Sequence, residues 1–185
     1  WIILLVKVRF IYMRLKKLQK LIITALLIAI VCLATIVVKI PSPATNGYFN
    51  LGDCFVLLSG WLMGPVYGAL AAGLGSALAD VLSGYVQYAP ATFVIKAIMA
   101  IAACLVYRAI RKKSFVAKLV GGFTAEAVMV IGYFAYEAVI LQYGLAAAGS
   151  VVSNIMQGIV GIAAGIITAT AIENNKTLYS FFSKR

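Results

Sequence analysis

The stretch Gly64–Ala97, GPVYGALAAGLGSALADVLSGYVQYAPATFVIKA, decides how this chain is to be read. Its first half is apolar and rich in small residues. Gly64, Gly68, Ala72 and Ser76 recur at every fourth position, with Ala69, Gly73 and Ala77 beside them. A ridge of that kind lets helices in a membrane approach closely. The polar turn SGYVQYAP then leads into a second apolar run that carries Lys96. Two spans joined by a tyrosine-bearing turn, with charges inside them, read as part of a polytopic membrane protein.

The composition agrees. Of 185 residues, 64% are hydrophobic, and the mean hydropathy is +1.04. Soluble domains are about 45–50% apolar. Runs near 20 apolar residues cross lipid as helices, because hydrocarbon offers the backbone no hydrogen-bond partner. Six such segments are expected: Leu21–Val38, Leu51–Met63, Val66–Ser83, Ala91–Tyr107, Leu119–Leu141 and Val151–Ile172. The second is short for a crossing at ~1.5 Å per residue. The expected fold is an all-α integral membrane protein, a six-transmembrane-helix bundle. Its expected domains are a cytoplasmic or interfacial segment 1–20, a membrane substrate-binding domain 21–172 and a cytoplasmic tail 173–185. Met13 reads as a natural start, which makes residues 1–12 an upstream extension.

The net charge of +11 sorts by side. Lys7, Arg9, Arg14, Lys16, Lys17 and Lys20 precede the first span. Arg108, Arg111, Lys112, Lys113 and Lys118 surround the fourth connection, and Lys176, Lys184 and Arg185 follow the last span. The opposite side holds only Lys39. This asymmetry places both termini in the cytoplasm. It also explains the basic charge without a nucleic-acid partner.

There are no histidines, which excludes Ser-His hydrolysis, histidine zinc sites and histidine proton relays. Cys32, Cys54 and Cys104 lie apart in apolar runs and form no metal or redox motif. No phosphate-binding GxxxxGK[ST] occurs. No metal, cofactor or catalytic residue is expected, and the chain is not read as an enzyme.

The polar residues concentrate near one surface. Charges within the bilayer are costly and mark function by default. Asp53, Asp80, Lys96 and Glu137 lie on four different spans, within roughly 10 Å of the outer surface at ~1.5 Å per residue. The outer loops add Asn46, Tyr48 and Asn50, then Tyr85, Gln87 and Tyr88, then Gln142 and Tyr143. Asn154 and Gln157 stand in the outer part of the last span, and Tyr133 and Tyr136 flank Glu137. Aromatic walls with a few convergent polar groups describe a small-molecule pocket. Bland readings stand beside this one. The tyrosines fit an aromatic belt, Asp80 and Lys96 fit an interhelical ion pair, and Asp53 fits a helix cap. Glu126, the one buried charge expected in the inner half, reads as a structural partner.

With these residues in hand, the chain resembles the substrate-binding S components of energy-coupling factor (ECF) vitamin transporters. The resemblance covers roughly Leu21 to Ile172. It rests on six spans in under 200 residues, on ALLIA (Ala25–Ala29), on KIPSPATNGYFNLGD (Lys39–Asp53) and on the Gly64–Ala97 stretch. It implies a vitamin-binding subunit in a prokaryotic plasma membrane. It also implies docking on a transmembrane coupling subunit driven by two ATPase subunits. Ala25 and Ala29 would meet the coupling subunit. Asn46, Tyr48, Asn50, Asp53, Asp80, Tyr85, Gln87, Tyr88, Lys96, Glu137 and Asn154 would line or cover the pocket. The loop pattern looks most like hydroxymethylpyrimidine or pyridoxine carriers. The competing reading is a stand-alone secondary transporter, in which Asp80, Lys96 and Glu137 couple a proton or ion.

Overall fold

The computed structural model describes residues 2–37, 39–41, 48–110 and 114–183. Helix α1 (Ile2–Val37) leads into a short antiparallel ribbon of β1 (Lys39–Pro41) and β2 (Tyr48–Asn50). Then follow α2 (Asp53–Met63), α3 (Pro65–Leu82), α4 (Ala89–Ile110) and α5 (Phe115–Ala135). A π-helical turn (Tyr136–Ile140) and a 3-10 turn (Gly144–Ala147) join α5 to α6 (Ala148–Asn174), and α7 (Lys176–Ser183) closes the described chain.

Five segments are long and apolar enough to cross a membrane: Arg14–Val37, Pro65–Leu82, Ala89–Ile110, Phe115–Ile140 and Gly144–Asn174. The sixth expected span differs. Helix α2 begins at Asp53 and has 11 residues, about 16 Å of helix against ~30 Å of hydrocarbon. Tyr48–Asn50, just ahead of it, is paired as strand β2 with Lys39–Pro41. Nine of the 11 residues of α2 are buried. A helix apolar on all sides belongs in the centre of a bundle, and α2 packs against α1, α3, α4 and α6.

Close packing around α2 depends on absent side chains. A Cβ on Gly60 would stand 2.4 Å from the Ala100 carbonyl oxygen, and one on Gly68 would stand 2.6 Å from that of Ser59. The small-residue ridge of α3 therefore lies partly against α2, with Gly68, Ala72 and Ser76 all buried. Ser59 Oγ reinforces the contact by donating to Gly68 O at 3.1 Å. The apolar core runs through Val56, Leu57, Trp61, Met99, Ala103 and Met129. Outward-facing Leu33, Leu82, Ile131 and Ile167 leave an apolar surface suited to lipid.

One end of the bundle is closed by a buried ion pair. Lys118 Nζ on α5 donates to Glu173 Oε2 on α6 at 2.6 Å and to Thr170 Oγ1 at 3.0 Å. Tyr107 on α4 donates to Glu173 Oε1 at 2.6 Å. This end of the bundle, expected from the sequence to bury no charge besides Glu126, thus buries Lys118 and Glu173 as well, which corrects that expectation.

Candidate functional site

The opposite end holds a polar cavity of about 510 Å³, counting its open mouth. Every helix from α1 to α6 supplies a wall or the floor. Spacing along each helix explains the convergence, because positions three and four apart share a face. On α6, Ser150, Ser153, Asn154 and Gln157 follow that spacing, as do Tyr88, Thr92 and Lys96 entering and along α4. Ser76 and Asp80 do so on α3, and Tyr133 and Glu137 across the end of α5. Thr35 of α1 and Asn50 of β2 complete the lining.

The floor is an ion pair. Lys96 Nζ contacts Asp53 Oδ1, and both side chains are almost fully buried. Gln157 Nε2 donates to the second oxygen of Asp53 at 2.5 Å, and Gln157 Oε1 accepts the Asn50 backbone N–H at 2.7 Å. One amide side chain therefore ties α2, α6 and the ribbon together. Lys96 Nζ also lies 3.0 Å from Met129 Sδ and 5.6 Å from the centre of the Tyr133 ring, within cation–π range. A buried pair of charges persists only when its remaining hydrogen-bonding capacity is met, and these neighbours meet it.

The upper wall is a second network. Glu137 sits in the π-helical turn and is 2% exposed. Its carboxylate accepts from Ser150 Oγ and, at 3.1 Å, from Tyr88 OH. Tyr88 packs against Tyr136 with ring centres 5.9 Å apart. Tyr133 and Thr92 share a hydroxyl–hydroxyl bond of 3.0 Å. π-Turns are frequent at functional sites, and this one aims a carboxylate inward where α-helix geometry gives way.

Most of the residues expected from the sequence converge. Asn50, Asp80, Tyr88, Lys96, Glu137 and Asn154 line the cavity, and Asp53 lies bonded to two of its lining side chains. Tyr85 and Gln87 do not line it. Tyr85 donates its backbone N–H to Asp80 O at 2.8 Å, and the exposed Gln87 offers its carbonyl to Tyr136 OH. Asn46 lies outside the described residues, as does the side chain of Tyr48. Three local readings are corrected. Lys96 pairs with Asp53 rather than Asp80. Asp53 is no helix cap: Gly52 holds that position, and no side chain caps the end. Among the described residues, Glu126 has no hydrogen-bond partner on either oxygen. It lies under α6, where a Cβ on Gly158 would meet it at 3.0 Å.

Thr35, Ser76, Thr92, Ser150 and Ser153 were not expected in the lining. The three-and-four spacing of Ser150, Ser153, Asn154 and Gln157 was visible in the sequence and would have found two of them. Ser76 was hidden inside the small-residue ridge. Ala25 and Ala29 lie on the exposed face of α1, away from the cavity. Trp61 lies in the core beside Tyr107, ring centres 6.3 Å apart.

The chemistry available is recognition. Two tyrosines line the cavity together with a cation, carboxylates and three side-chain amides, so a planar molecule with donors and acceptors on its rim finds complementary groups.

Comparison with known proteins matches this architecture. Residues 16–174 match the family described as "ECF-type riboflavin transporter, S component". An uncharacterized protein of Pyrococcus woesei, from the 3' region of gap, is 36% identical over 137 residues, covering 74% of this chain and 87% of that protein. A solved S component of a bacterial ECF transporter superposes with a TM-score of 0.66 at 23% identity, covering 85% of this chain and 97% of the other. That likeness carries the fold. The family match spans most of the chain and all of the cavity-forming helices, so the chain belongs to the S-component family of ECF-type riboflavin transporters.

Proposed function

We propose that this protein captures a vitamin in the cavity between α1 and α6 and delivers it through an ECF complex. The observation that carries the reading is the cavity itself: tyrosine walls over the Lys96–Asp53 floor, at the end of the bundle where the α1–α2, α3–α4 and α5–α6 connections lie. Those connections form the outer mouth if both termini are cytoplasmic, as the lysine and arginine asymmetry favours. Residues 21–172 then form the membrane substrate-binding domain, with α2 as a short sixth membrane helix. The membrane is the plasma membrane of a prokaryote. The partners are a transmembrane coupling subunit, reached through Ala25 and Ala29, and two ATPase subunits that hydrolyse ATP.

Riboflavin is the first candidate, because the matching family carries that description. Its flat ring system would lie against Tyr88 and Tyr133, with its polar edge toward Lys96, Asn154 and Asp80, once the closely crossing side chains part to admit it. A smaller ring, hydroxymethylpyrimidine or pyridoxine, is the second candidate. It is favoured by how closely the lining side chains cross the cavity and by the absence of an indole among them. Uptake into proteoliposomes tests the role. The account expects vitamin accumulation only with the coupling subunit, both ATPases and internal ATP. Accumulation by this chain alone under a proton or sodium gradient overturns it and supports a secondary transporter.

A further inference from the structure

At the end of the bundle opposite the polar cavity, a groove of about 810 Å³ (open mouth included) lies between the start of the α1 span, the ends of α2 and α4, and α7. Three cations line it: Lys16 and Lys20 from α1 and Arg108 from α4. Lys16 and Lys20 are four residues apart and share one helical face. The Lys20 ammonium is held 5.8 Å from the centre of the Tyr67 ring. Among the described residues that line the groove there is no acid. Its remaining wall is the amide of Gln19 and an apolar part built from Leu62, Met63, Phe181 and Phe182.

Helix α7 supplies the apolar part in a particular way. Tyr179 and Phe182 pack on the core, while Leu178 and Phe181 stay about half exposed. A short helix with apolar residues turned outward beside a membrane bundle lies in the interfacial zone. The groove thus offers positive charge and exposed aromatic surface at the depth where lipid headgroups meet acyl chains. A soluble acidic peptide would use the cations and leave Phe181 wet. A phospholipid uses both.

We propose that this groove is a binding site for an anionic phospholipid. Its phosphate lies among Lys16, Lys20 and Arg108, and its first acyl methylenes lie on Phe181. Basic pockets between membrane helices hold such headgroups, each nearby Lys or Arg contributing about fivefold in affinity. The site is separate from the vitamin cavity and does not depend on the vitamin's identity. Its occupant would brace α7 against the start of α1, and so fix how the bundle sits in the cytoplasmic leaflet.

Native mass spectrometry of the purified full chain tests it, with dioctanoyl phosphatidylglycerol, dioctanoyl phosphatidylcholine or inorganic phosphate added at equal concentration. The expected result is preferential retention of phosphatidylglycerol. Lys16→Gln, Lys20→Gln and Arg108→Gln should each weaken that retention about fivefold, and Arg108→Lys should largely keep it. Lys17→Gln/Lys176→Gln, which removes two exposed cations outside the groove, should leave it unchanged. Equal retention of both lipids, or an equal loss in the Lys17/Lys176 control, overturns the site. Displacement of phosphatidylglycerol by equimolar inorganic phosphate overturns the lipid assignment in favour of a soluble anion. Thermal unfolding of each variant without lipid separates lost binding from lost folding.

Discussion

Lys96 on α4 and Asp53 at the start of α2 form an ion pair that is almost wholly removed from solvent, and the cavity is built on it. Removing one partner strands the other as a buried charge, which costs about 3–5 kcal/mol. Asp53→Leu and Lys96→Met should each destabilise the purified protein by that order. The double variant should be considerably more stable than the sum of the two losses implies. Denaturant unfolding in detergent reads both quantities, and simple additivity would contradict a direct pair.

Tyr133 is expected to act on substrate through its ring. It faces the Lys96 ammonium and lines the cavity. Tyr133→Ala removes an aromatic wall and should weaken vitamin binding by about tenfold or more. Tyr133→Phe keeps the ring and loses the bond to Thr92, on the order of 1 kcal/mol. Calorimetric titration separates the two variants, and equal affinities for alanine and tyrosine at this position would remove Tyr133 from the site.

Glu126 is buried, and both of its oxygens lack a hydrogen-bond partner among the described residues. It borders an apolar crevice formed with Phe123, Val130, Ile155 and Ile159 on the outer face of α5 and α6. An ionised carboxylate is expensive in such surroundings. Glu126→Gln keeps the shape and removes the acid, so its unfolding free energy should stay within about 1 kcal/mol of the parent or rise. A loss well beyond that would mean the charge itself is used.

Gly60 meets the Ala100 carbonyl where α2 crosses α4. Gly60→Ala forces the two backbones apart and should cost about 1–3 kcal/mol as overpacking. The thermal midpoint of the purified variant reads this directly, and an unchanged midpoint would show that α2 is free to shift.

Ala25 and Ala29 share an exposed face of α1 that is remote from the cavity. Tryptophan at both positions should abolish ATP-driven uptake in the assembled complex while vitamin affinity stays within about twofold, a change far below one hot-spot contact. Uptake that survives would move the coupling interface elsewhere.

The sequence made the membrane helices legible because apolar run length reports directly on lipid. It also placed Asp53, Asp80, Lys96 and Glu137 at one depth, and the structure gathers all four at one end of the bundle. Pairing was not legible. Asp80 is nearer Lys96 in sequence, yet Asp53 holds the ammonium, because α2 is a central helix and its start points into the bundle. Helix rotation decided the rest. Tyr85 and Tyr88 are three residues apart in one turn, but only Tyr88 enters the cavity, since it immediately precedes α4 and stands in line with Thr92 and Lys96. Lys118 reads as a loop cation and proves to be buried, because Glu173 lies far along the chain on α6.

Binding to the isolated chain tests the central claim most directly. Purified protein, free of partners and ATP, is titrated with riboflavin, hydroxymethylpyrimidine and pyridoxine, and native mass spectrometry counts the bound molecules. The account predicts saturable one-to-one retention of one of these vitamins and its loss in Lys96→Met. Retention of none of them, or retention indifferent to Lys96, would contradict a vitamin site in this cavity.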